Sequence, residues 1–254
     1  GGERILECIG EGGSGQVHKA RNLKTGHLVA MKIQEWTHKN FKKFMIESLL
    51  LQSLVHQNIP KLMGMYSWKG KLYICMELYA GGDLDDFYTR MGSLKESQLA
   101  FVAKEVLETL LYLHQKGYMH RDIKPPNILL TDAGEVRLVD FGLMLKIKKK
   151  CKDRAGTIPY VAPEIALEYF SDGFNEKCDV WSVGMTLLEL AEGGSYLLGT
   201  SKNSILEDLA EMMEVPRLTK RDKWSPVFRS FLEDALTLDP AMRPSVEVTM
   251  PFPA

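Results

Sequence analysis

The sequence has few cysteines, and the four that it has stand far apart. Cys8, Cys75, Cys151 and Cys178 show neither the short spacings of a metal site nor the density of a disulfide-stabilised secreted domain. We therefore expect a reduced intracellular protein, located in the cytoplasm.

Long apolar runs and an excess of charge of one sign are also missing. No apolar run approaches the roughly 18 residues of a membrane span, and the first residues lack the basic-then-apolar order of a secretory signal. Lys and Arg number 32 against 33 Asp and Glu, which gives a formal net charge of -1. The chain therefore has no global field to attract nucleic acid or an anionic membrane, and we expect neither as a partner.

The pattern of apolar residues changes from strand-like to helical near residue 80. Short β-branched or alternating runs that predict antiparallel strands come first: Arg4 to Ile9, Val17 to Ala20, His27 to Ile33 and Lys71 to Glu77. One helical stretch, 41–54, interrupts them. Later, apolar residues recur at helical steps, at Leu99, Ala103, Val106, Leu110 and Leu113, and Val180 to Leu190 is apolar on nearly every face. The pattern predicts an α+β protein with a hinge at 79–82.

A glycine-rich segment, Gly10-Glu11-Gly12-Gly13-Ser14-Gly15, fits the pattern GxGxxG. Dinucleotide-binding folds share this pattern, but they need a helix directly after the glycines, and here Gln16 to Ala20 continues as a strand. A strand-loop-strand hairpin favours a flap whose backbone N–H groups approach nucleotide phosphates. An ordinary glycine hairpin is the alternative at this point.

A lysine follows in the position that such a flap requires. The strand Val29-Ala30-Met31-Lys32 places Ala30 and Lys32 on one face. Lys32 would then pair with the α/β-phosphates, and Glu47 in the next helix would hold it by an ion pair. Taken alone, Glu47 is more simply interpreted as a solvated helix carboxylate.

Three further motifs follow in a fixed order. His120 to Asn127 matches H-R-D-x-x-x-x-N, Asp140-Phe141-Gly142 begins 13 residues after Asn127, and Ala162-Pro163-Glu164 comes later. With these motifs the sequence resembles the eukaryotic protein kinase family over residues 3 to 245. The resemblance implies a bilobal fold, with a small antiparallel-sheet N-lobe at 3–80 and a larger helical C-lobe at 81–250, within one kinase domain.

The resemblance implies a serine/threonine protein kinase with ATP and Mg²⁺. Asp122 would accept the proton of the substrate hydroxyl, and Asn127 and Asp140 would hold Mg²⁺. A lysine at position 124, two residues after Asp122, is typical of the catalytic loop of serine/threonine kinases. The catalytic set implied by the resemblance is Lys32, Glu47, Asp122 and Lys124. Partners would be proteins with Ser or Thr acceptors, ATP-competitive small molecules would suit the same site, and the family is compatible with a regulatory partner or a dimer.

The nucleotide site implied by the resemblance contains more residues than the catalytic set. It comprises Gly10, Gly12, Gly13, Ser14, Gly15, Val17, Ala30, Lys32, Met76, Glu77, Tyr79, Asp83 and Leu129. Met76 would limit the pocket behind adenine, Glu77 and Tyr79 would offer backbone groups, and Asp83 would bind the ribose. Asp85 and Asp86 are expected to cap or solvate the following helix.

The scaffold implied by the resemblance includes buried ions. Glu164 and Arg243 would pair beneath the substrate platform, and His120 would be structural rather than an acid or a base. Asp179 would anchor an apolar column that links the lobes and comprises Leu51, Leu62, His120 and Phe141. Within the family, Leu72 to Leu78, Asp132 to Leu138 and Lys223-Trp224-Ser225 are most similar to the Ste20-related germinal-centre group, which acts upstream of MAP kinase cascades.

The segment from Asp140 to Gly156 contains no Ser, Thr or Tyr. Many kinases phosphorylate this loop to order it against the Arg of His-Arg-Asp, here Arg121. Asp153, four residues before Thr157, stands where the phosphorylated residue would be, and we expect its fixed carboxylate to substitute partly for the phosphate. The alternative is that Asp153 only moderates its basic neighbours in solvent.

Two readings of other residues stay open. The basic run from Lys146 to Arg154 is a solvated loop or a docking patch for an acidic partner, and Cys151 within it is an exposed loop thiol or an oxidant sensor. A nucleotide-binding pseudokinase scaffold is the alternative to an active enzyme. It is disfavoured because such scaffolds usually lack one of the Lys, Asp or Asn positions that this sequence retains.

Overall fold

The computed structural model describes residues 2–12, 15–36, 48–148, 151, 155–166, 173–194 and 215–249. The pattern of contacts between its residues divides the chain into two compact units. The first unit comprises Gly1–Gly81 together with Leu130–Gly142, and the second comprises Gly82–Leu129 together with Leu143–Ala254. The assignment of residues 3–80 and 81–250 to functional lobes remains a prediction.

The first unit contains an antiparallel sheet. Its strands are β1 (Glu3–Gly12), β2 (Gly15–Asn22), β3 (Leu28–Glu35), β4 (Leu62–Trp68) and β5 (Lys71–Glu77), in the spatial order β1-β2-β3-β5-β4. All four neighbouring pairs are antiparallel. The four strands predicted from the sequence are confirmed. Strand β4 was missed because its sequence, LMGMYSW, has no β-branched residue and contains a glycine.

One face of this sheet carries a small core. Ala20, Val29, Met31 and Cys75 are buried, and Tyr66 and Tyr73 stack beside them with ring centroids 4.9 Å apart. Burial raises the pKa of the Cys75 thiol to about 11, so this cysteine stays protonated and packs as an apolar group. Residues 48–53 are helical, which agrees with the end of the predicted helix 41–54; its beginning lies outside the described residues.

Asn58 joins the segment Leu130–Gly142 to the rest of the first unit by hydrogen bonds. The Asn58 side-chain amide donates to the Val136 carbonyl at 2.9 Å, and the Leu138 N–H donates to the Asn58 carbonyl at 2.8 Å. Strand β8 (Val136–Leu138) is thereby fixed, and the Asp140-Phe141-Gly142 motif follows it directly. A short 3₁₀ turn, Phe141–Leu143, lies at the boundary of the two units.

The described part of the second unit is mainly helical. Its helices are α1 (Leu84–Met91), α2 (Glu96–Gln115), α3 (Pro163–Ala166), α4 (Lys177–Glu192), α5 (Pro226–Ala235) and α6 (Val246–Thr249). Strand β6 (Tyr118–Met119) pairs antiparallel with β9 (Leu145–Lys146), while β7 (Ile128–Leu130) ends at the unit boundary. Further 3₁₀ turns are Pro125–Asn127 and Arg221–Lys223. The α+β class predicted from the sequence is confirmed.

Helix α4 is the centre of the second unit. Every residue from Cys178 to Ala191 is buried, as the sequence predicts for a helix that is apolar on nearly every face. At Gly184, an added Cβ would lie only 2.8 Å from Leu236 Cδ2 and 3.1 Å from Ala235 Cβ, so glycine permits the close approach of the end of α5. The predicted stripe of α2, from Leu99 to Leu113, is buried as well. Among the described residues, no helix is long and apolar enough to cross a membrane.

Candidate active site

The glycine-rich segment forms the predicted hairpin. Gly10 pairs with Val17 and Gly12 pairs with Gly15, so the chain runs from β1 directly into β2 without a helix. Gly15 has φ 120°, and an added Cβ would lie 2.4 Å from the Ile33 carbonyl oxygen. No residue with a side chain fits there. Gly13 and Ser14 lie outside the described residues.

One sheet face gathers the strand residues expected around the nucleotide. Lys32 stands opposite Val17 on β2, and Ala30 stands opposite Met76 on β5. Directly opposed residues share a face, and Ala30 and Lys32 are two residues apart on β3. The predicted common face for Ala30 and Lys32 is therefore confirmed, and Val17 and Met76 extend it.

Lys32 is 8% exposed and contacts a residue that the sequence analysis assigned to metal binding. Its Nζ lies 2.6 Å from Asp140 Oδ1. Asp140 has φ 58°, in the left-handed region that is unusual for a residue other than glycine, and the Gly142 N–H also donates to Oδ1 at 3.3 Å. The predicted partner, Glu47, lies outside the described residues. The structure thus joins the cation predicted to bind phosphate and the carboxylate predicted to bind metal within the first unit.

The end of β5 carries a hydrogen-bonded group at the expected adenine position. The Tyr79 hydroxyl donates to Glu77 Oε2 at 2.7 Å, and the Lys61 N–H donates to the same oxygen at 3.0 Å. Arg137 lies over the Tyr79 ring at 5.4 Å. Burial opposes the charge of Glu77, but these hydrogen bonds outweigh it and hold the pKa of this carboxyl below its usual value. The side chains therefore fix the backbone from Glu77 to Tyr79.

Asp83 has a local role that was not predicted from the sequence. Its Oδ1 accepts the Asp86 N–H at 2.8 Å, which makes Asp83 the N-cap of α1. Asp85 and Asp86 were expected to cap or solvate this helix; neither is the cap, because both lie in its first turn, where negative charge is favoured by the positive end of the helix dipole and Asp86 is exposed. Burial raises the pKa of Asp83. Leu129 forms an isolated antiparallel bridge with Asp83.

Three residues singled out in the sequence surround the carboxylate of Asp122 in the catalytic loop. Thr157 Oγ1 donates to Asp122 Oδ1 at 2.6 Å, while Lys124 Nζ lies 3.0 Å from Oδ2 and 2.7 Å from the Thr157 hydroxyl. The Asn127 amide nitrogen donates to Asp122 Oδ2 and to the Asp122 carbonyl, at 2.8 Å each. Asp122 is 6% exposed. Both of its carboxylate oxygens are therefore held in fixed directions by hydrogen-bond donors.

Asp179 at the start of α4 holds the backbone of this loop, whereas the sequence predicted only that it anchors an apolar column that includes His120. Its carboxylate accepts the His120 N–H at 2.9 Å, the Arg121 N–H at 2.7 Å and His114 Nε2 at 2.8 Å. Burial opposes the charge, but the His114 hydrogen bond and the other donors together hold the pKa of Asp179 below its usual value. Arg121 has φ 69° and donates through Nε to the Leu143 carbonyl at 2.7 Å. A strained backbone is thus maintained by buried hydrogen bonds.

Glu164 and Arg243 form the predicted buried pair. The guanidinium donates to both carboxylate oxygens, at 2.6 and 3.0 Å, and both side chains are 0% exposed. Its remaining N–H groups donate to the carbonyls of Thr237, Lys177 and Leu238. All five donors of Arg243 therefore have acceptors.

The basic run is described only in part, and Asp153 lies outside the described residues. Cys151 is described, and the expectation of an exposed loop thiol was wrong: it is 3% exposed, and its backbone pairs with Phe174. The thiol contacts the carbonyls of Lys146 and Lys148 at 3.8 Å each. Burial withdraws the sulfur from solvent oxidants, so the oxidant-sensor reading loses its basis.

The family model of the protein kinase domain matches residues 4–252. The chain belongs to the protein kinase domain family. This kinase domain is 40% identical over 254 residues to mitogen-activated protein kinase kinase kinase kinase 3 of Homo sapiens, covering 98% of the domain and 28% of the relative. It is 36% identical over 256 residues to serine/threonine-protein kinase 10 of Xenopus tropicalis, covering 98% and 27%. It is also 36% identical over 247 residues to serine/threonine-protein kinase 1 of Arabidopsis thaliana, covering 95% and 29%.

These comparisons confirm the resemblance to serine/threonine kinases of the Ste20-related type. The kinase domain spans less than a third of the length of these relatives. The roles assigned to single residues remain predictions that the geometry above supports.

Residues of the kinase domain suit Mg²⁺ as well as ATP. Mg²⁺ prefers oxygen ligands and is commonly held by one or two protein groups together with substrate phosphates. Asn127 uses its amide nitrogen on Asp122, which leaves its amide oxygen as a ligand, and Asp140 offers a carboxylate. Each donor fits the role that the sequence predicted for it.

Proposed function

We propose that this chain is the catalytic domain of an active serine/threonine protein kinase, which transfers the γ-phosphoryl group of ATP to Ser or Thr hydroxyls of proteins. The observation that carries the proposal is the Asp122 carboxylate, held by Thr157, Lys124 and Asn127 at 2.6 to 3.0 Å. A carboxylate fixed in this way supports a role as acceptor for one proton.

The proposed reaction needs few groups. The acceptor hydroxyl oxygen attacks the γ-phosphorus, the bond between the γ-phosphorus and the bridging β-oxygen breaks, and ADP leaves. Asp122 takes the hydroxyl proton. The Lys124 ammonium would stabilise negative charge on the transferring group, since preorganised cations act most strongly where charge develops.

Lys32, Asn127 and Asp140 would serve the nucleotide. Lys32 would exchange Asp140 for the α/β-phosphates when ATP binds, because both are anionic acceptors for one ammonium. Asn127 and Asp140 would hold Mg²⁺, which would neutralise charge on the phosphate oxygens. The resemblance assigns Val17, Ala30 and Leu129 to apolar contacts with adenine, and Met76 to limiting the pocket behind it.

The cellular setting is proposed on other grounds. A relative is named mitogen-activated protein kinase kinase kinase kinase 3, and we infer that this chain also acts in a signalling cascade of that type. We further infer a cytoplasmic location. All four cysteines are free, which is usual in reducing compartments.

Transfer to a peptide library tests the function directly. The purified chain is incubated with Mg-ATP and a Ser/Thr/Tyr peptide library, and phosphosites are identified by mass spectrometry. We expect Ser and Thr products. Asp122→Asn should abolish transfer while retaining nucleotide binding, and the exposed Asp132→Asn is the matched control that should act like the wild type.

The alternative, a pseudokinase scaffold, makes the opposite prediction. It would bind nucleotide without transferring phosphate in any variant, so a wild type as inactive as Asp122→Asn would contradict the proposal.

Asp153 is proposed as a partial substitute for an activation-loop phosphate. The support is the sequence offset to Thr157 and the lack of Ser, Thr or Tyr between Asp140 and Gly156. Asp153→Ala should lose activity, Asp153→Glu should restore part of it, and phosphatase treatment should leave wild-type activity unchanged. Full activity of Asp153→Ala would exclude the role.

A further inference from the structure

A second buried carboxylate of α4 lies outside the catalytic loop. Glu189 is 2% exposed, and its Oε1 accepts the Tyr88 hydroxyl of α1 at 2.7 Å. The Tyr160 hydroxyl donates to Oε1 at 3.0 Å and to Oε2 at 2.9 Å. Two tyrosines from separate parts of the second unit therefore converge on one glutamate.

In this group the two tyrosine hydroxyls are the hydrogen-bond donors, and the Glu189 carboxylate is the acceptor. Burial first, and then the hydrogen-bonded Glu189 carboxylate, raise the pKa of Tyr88 and of Tyr160, so both phenols keep their protons. Burial also raises the pKa of Glu189, the two tyrosine hydrogen bonds oppose this shift, and Asp85 adds to it. Loss of either hydroxyl would leave a buried carboxylate with fewer partners, which is costly.

Tyr160 is connected to the catalytic carboxylate through a tight turn. The N–H groups of Tyr160 and Val161 donate to the Thr157 carbonyl, at 2.8 and 3.1 Å. Ser182 Oγ donates to the Tyr160 carbonyl at 2.8 Å. Thr157 in turn donates to Asp122 at 2.6 Å. The position of the Thr157 hydroxyl therefore depends on where Tyr160 is held.

We propose that Tyr88 is a positioning residue for phosphoryl transfer, acting through Glu189 and Tyr160 to hold the Thr157 hydroxyl on Asp122. The inference rests on the proposed function. Tyr88 stands 69 residues before Thr157 in the sequence, and its link to Thr157 begins with the contact of its hydroxyl with Glu189. Its loss should disturb the alignment of the catalytic carboxylate rather than the binding of nucleotide.

The test separates kcat from KM. In Tyr88→Phe the ring is retained and the hydroxyl is lost, and kcat for a peptide identified in the library should fall on the order of tenfold, the scale of a small misplacement at an active site. KM for ATP and for the peptide should stay within about twofold, because the change affects alignment and not binding. Tyr160→Phe should show the same pattern. Tyr118→Phe, in β6, is the control and should match the wild type.

A double-mutant cycle distinguishes positioning from general destabilisation. In a Thr157→Val background the link to Asp122 is already broken, so Tyr88→Phe should lower kcat no further. Rates are normalised to nucleotide-binding sites, which counts only folded molecules. A kcat of Tyr88→Phe equal to that of Tyr118→Phe, or an equal fractional loss in both backgrounds, overturns the inference. A wild type without transfer would instead refute the proposed function.

Discussion

At the scale of single residues, Thr157 contacts the Asp122 carboxylate, on which the proposed chemistry depends. Its hydroxyl donates to Asp122 Oδ1, and Lys124 contacts both Thr157 and Asp122. A fixed donor leaves the carboxylate little freedom to rotate, so the remaining acceptor direction is defined before the substrate arrives. Preorganisation of this kind reduces the reorganisation needed during transfer.

The first prediction concerns that hydroxyl. Thr157→Val keeps the volume and removes the donor, and kcat should fall by about 10²-fold, the lower end of the range for general acid–base groups. Thr157→Ser retains a hydroxyl and should keep most of the activity. Steady-state kinetics with peptide and Mg-ATP measure both. Equal activity of the Val and Ser variants would contradict the role of the hydroxyl.

The second prediction concerns Asp83, which caps α1. Asp83→Ala should lower the free energy of unfolding by about 1 kcal/mol because the Asp86 N–H loses its acceptor. Asp85→Ala, in the first turn, is the matched control and should cost less. Urea unfolding measures both variants.

Asp83→Ser separates the cap from the expected ribose contact. It should keep stability, since Ser caps well, yet raise KM for ATP if Asp83 binds the ribose. Unchanged KM and stability in Asp83→Ser would restrict Asp83 to its capping role.

At the scale of elements, α4 carries a polar stripe along one face of an otherwise apolar helix. Asp179, Ser182, Thr186 and Glu189 follow each other at steps of three, four and three residues. Asp179 binds the backbone of the catalytic loop, Ser182 and Glu189 bind Tyr160, and Thr186 donates to the Ile123 carbonyl at 3.5 Å. One helix face therefore fixes both the catalytic loop and the segment before α3.

The sequence predicts the burial of α4 but not the partners of its stripe. Apolar periodicity reports which faces are buried, whereas a polar residue inside that pattern only indicates that some partner exists. The partners are remote: His120 is 59 residues from Asp179, and Tyr88 is 101 residues from Glu189. The resemblance identified Asp179 as an anchor, but no motif pointed to His114, Tyr88 or Glu189.

The third prediction uses the raised pKa of Glu189. Its folded-state pKa lies above the usual 4.5, so the folded protein binds this proton more tightly than the unfolded chain. The stability from this site is present below the unfolded-state pKa and is lost as pH rises through the folded-state value. Glu189→Gln lacks the titration.

Urea unfolding of both proteins over about pH 5 to 8 measures the effect. The unfolding free energy of Glu189→Gln minus that of the wild type should increase across the lower part of this range and then level off. A difference that falls with rising pH would contradict the assigned direction of the shift.

At the scale of the whole molecule, motifs predicted the architecture better than they predicted contacts. Four strands, the buried helix α4 and the pair Glu164–Arg243 followed from local pattern and resemblance. The Lys32–Asp140 contact did not, since it joins residues 108 apart and both had other expected partners. Strand β4 was missed because its sequence has no β-branched residue and contains a glycine.

The fourth prediction concerns the pair Glu164–Arg243. Glu164→Gln leaves the Arg243 charge buried without its anion, and unfolding free energy should fall by about 3 to 5 kcal/mol. The control is the pair Glu135–Arg137, in which the Glu135 side chain is 59% exposed, and Glu135→Gln should cost about 0 to 1 kcal/mol. Urea unfolding of both variants gives the comparison. Equal costs would mean that burial adds nothing to the Glu164 pair.

The same pair imposes an order of events during synthesis. Glu164 leaves the ribosome 79 residues before Arg243, which corresponds to a delay of roughly 4 to 16 s at usual elongation rates. During this interval the carboxylate has no guanidinium to pair with, and its burial would be unfavourable. The region around α3 therefore cannot reach its final packing until Arg243 has emerged, which makes the nascent second unit a natural client for chaperones.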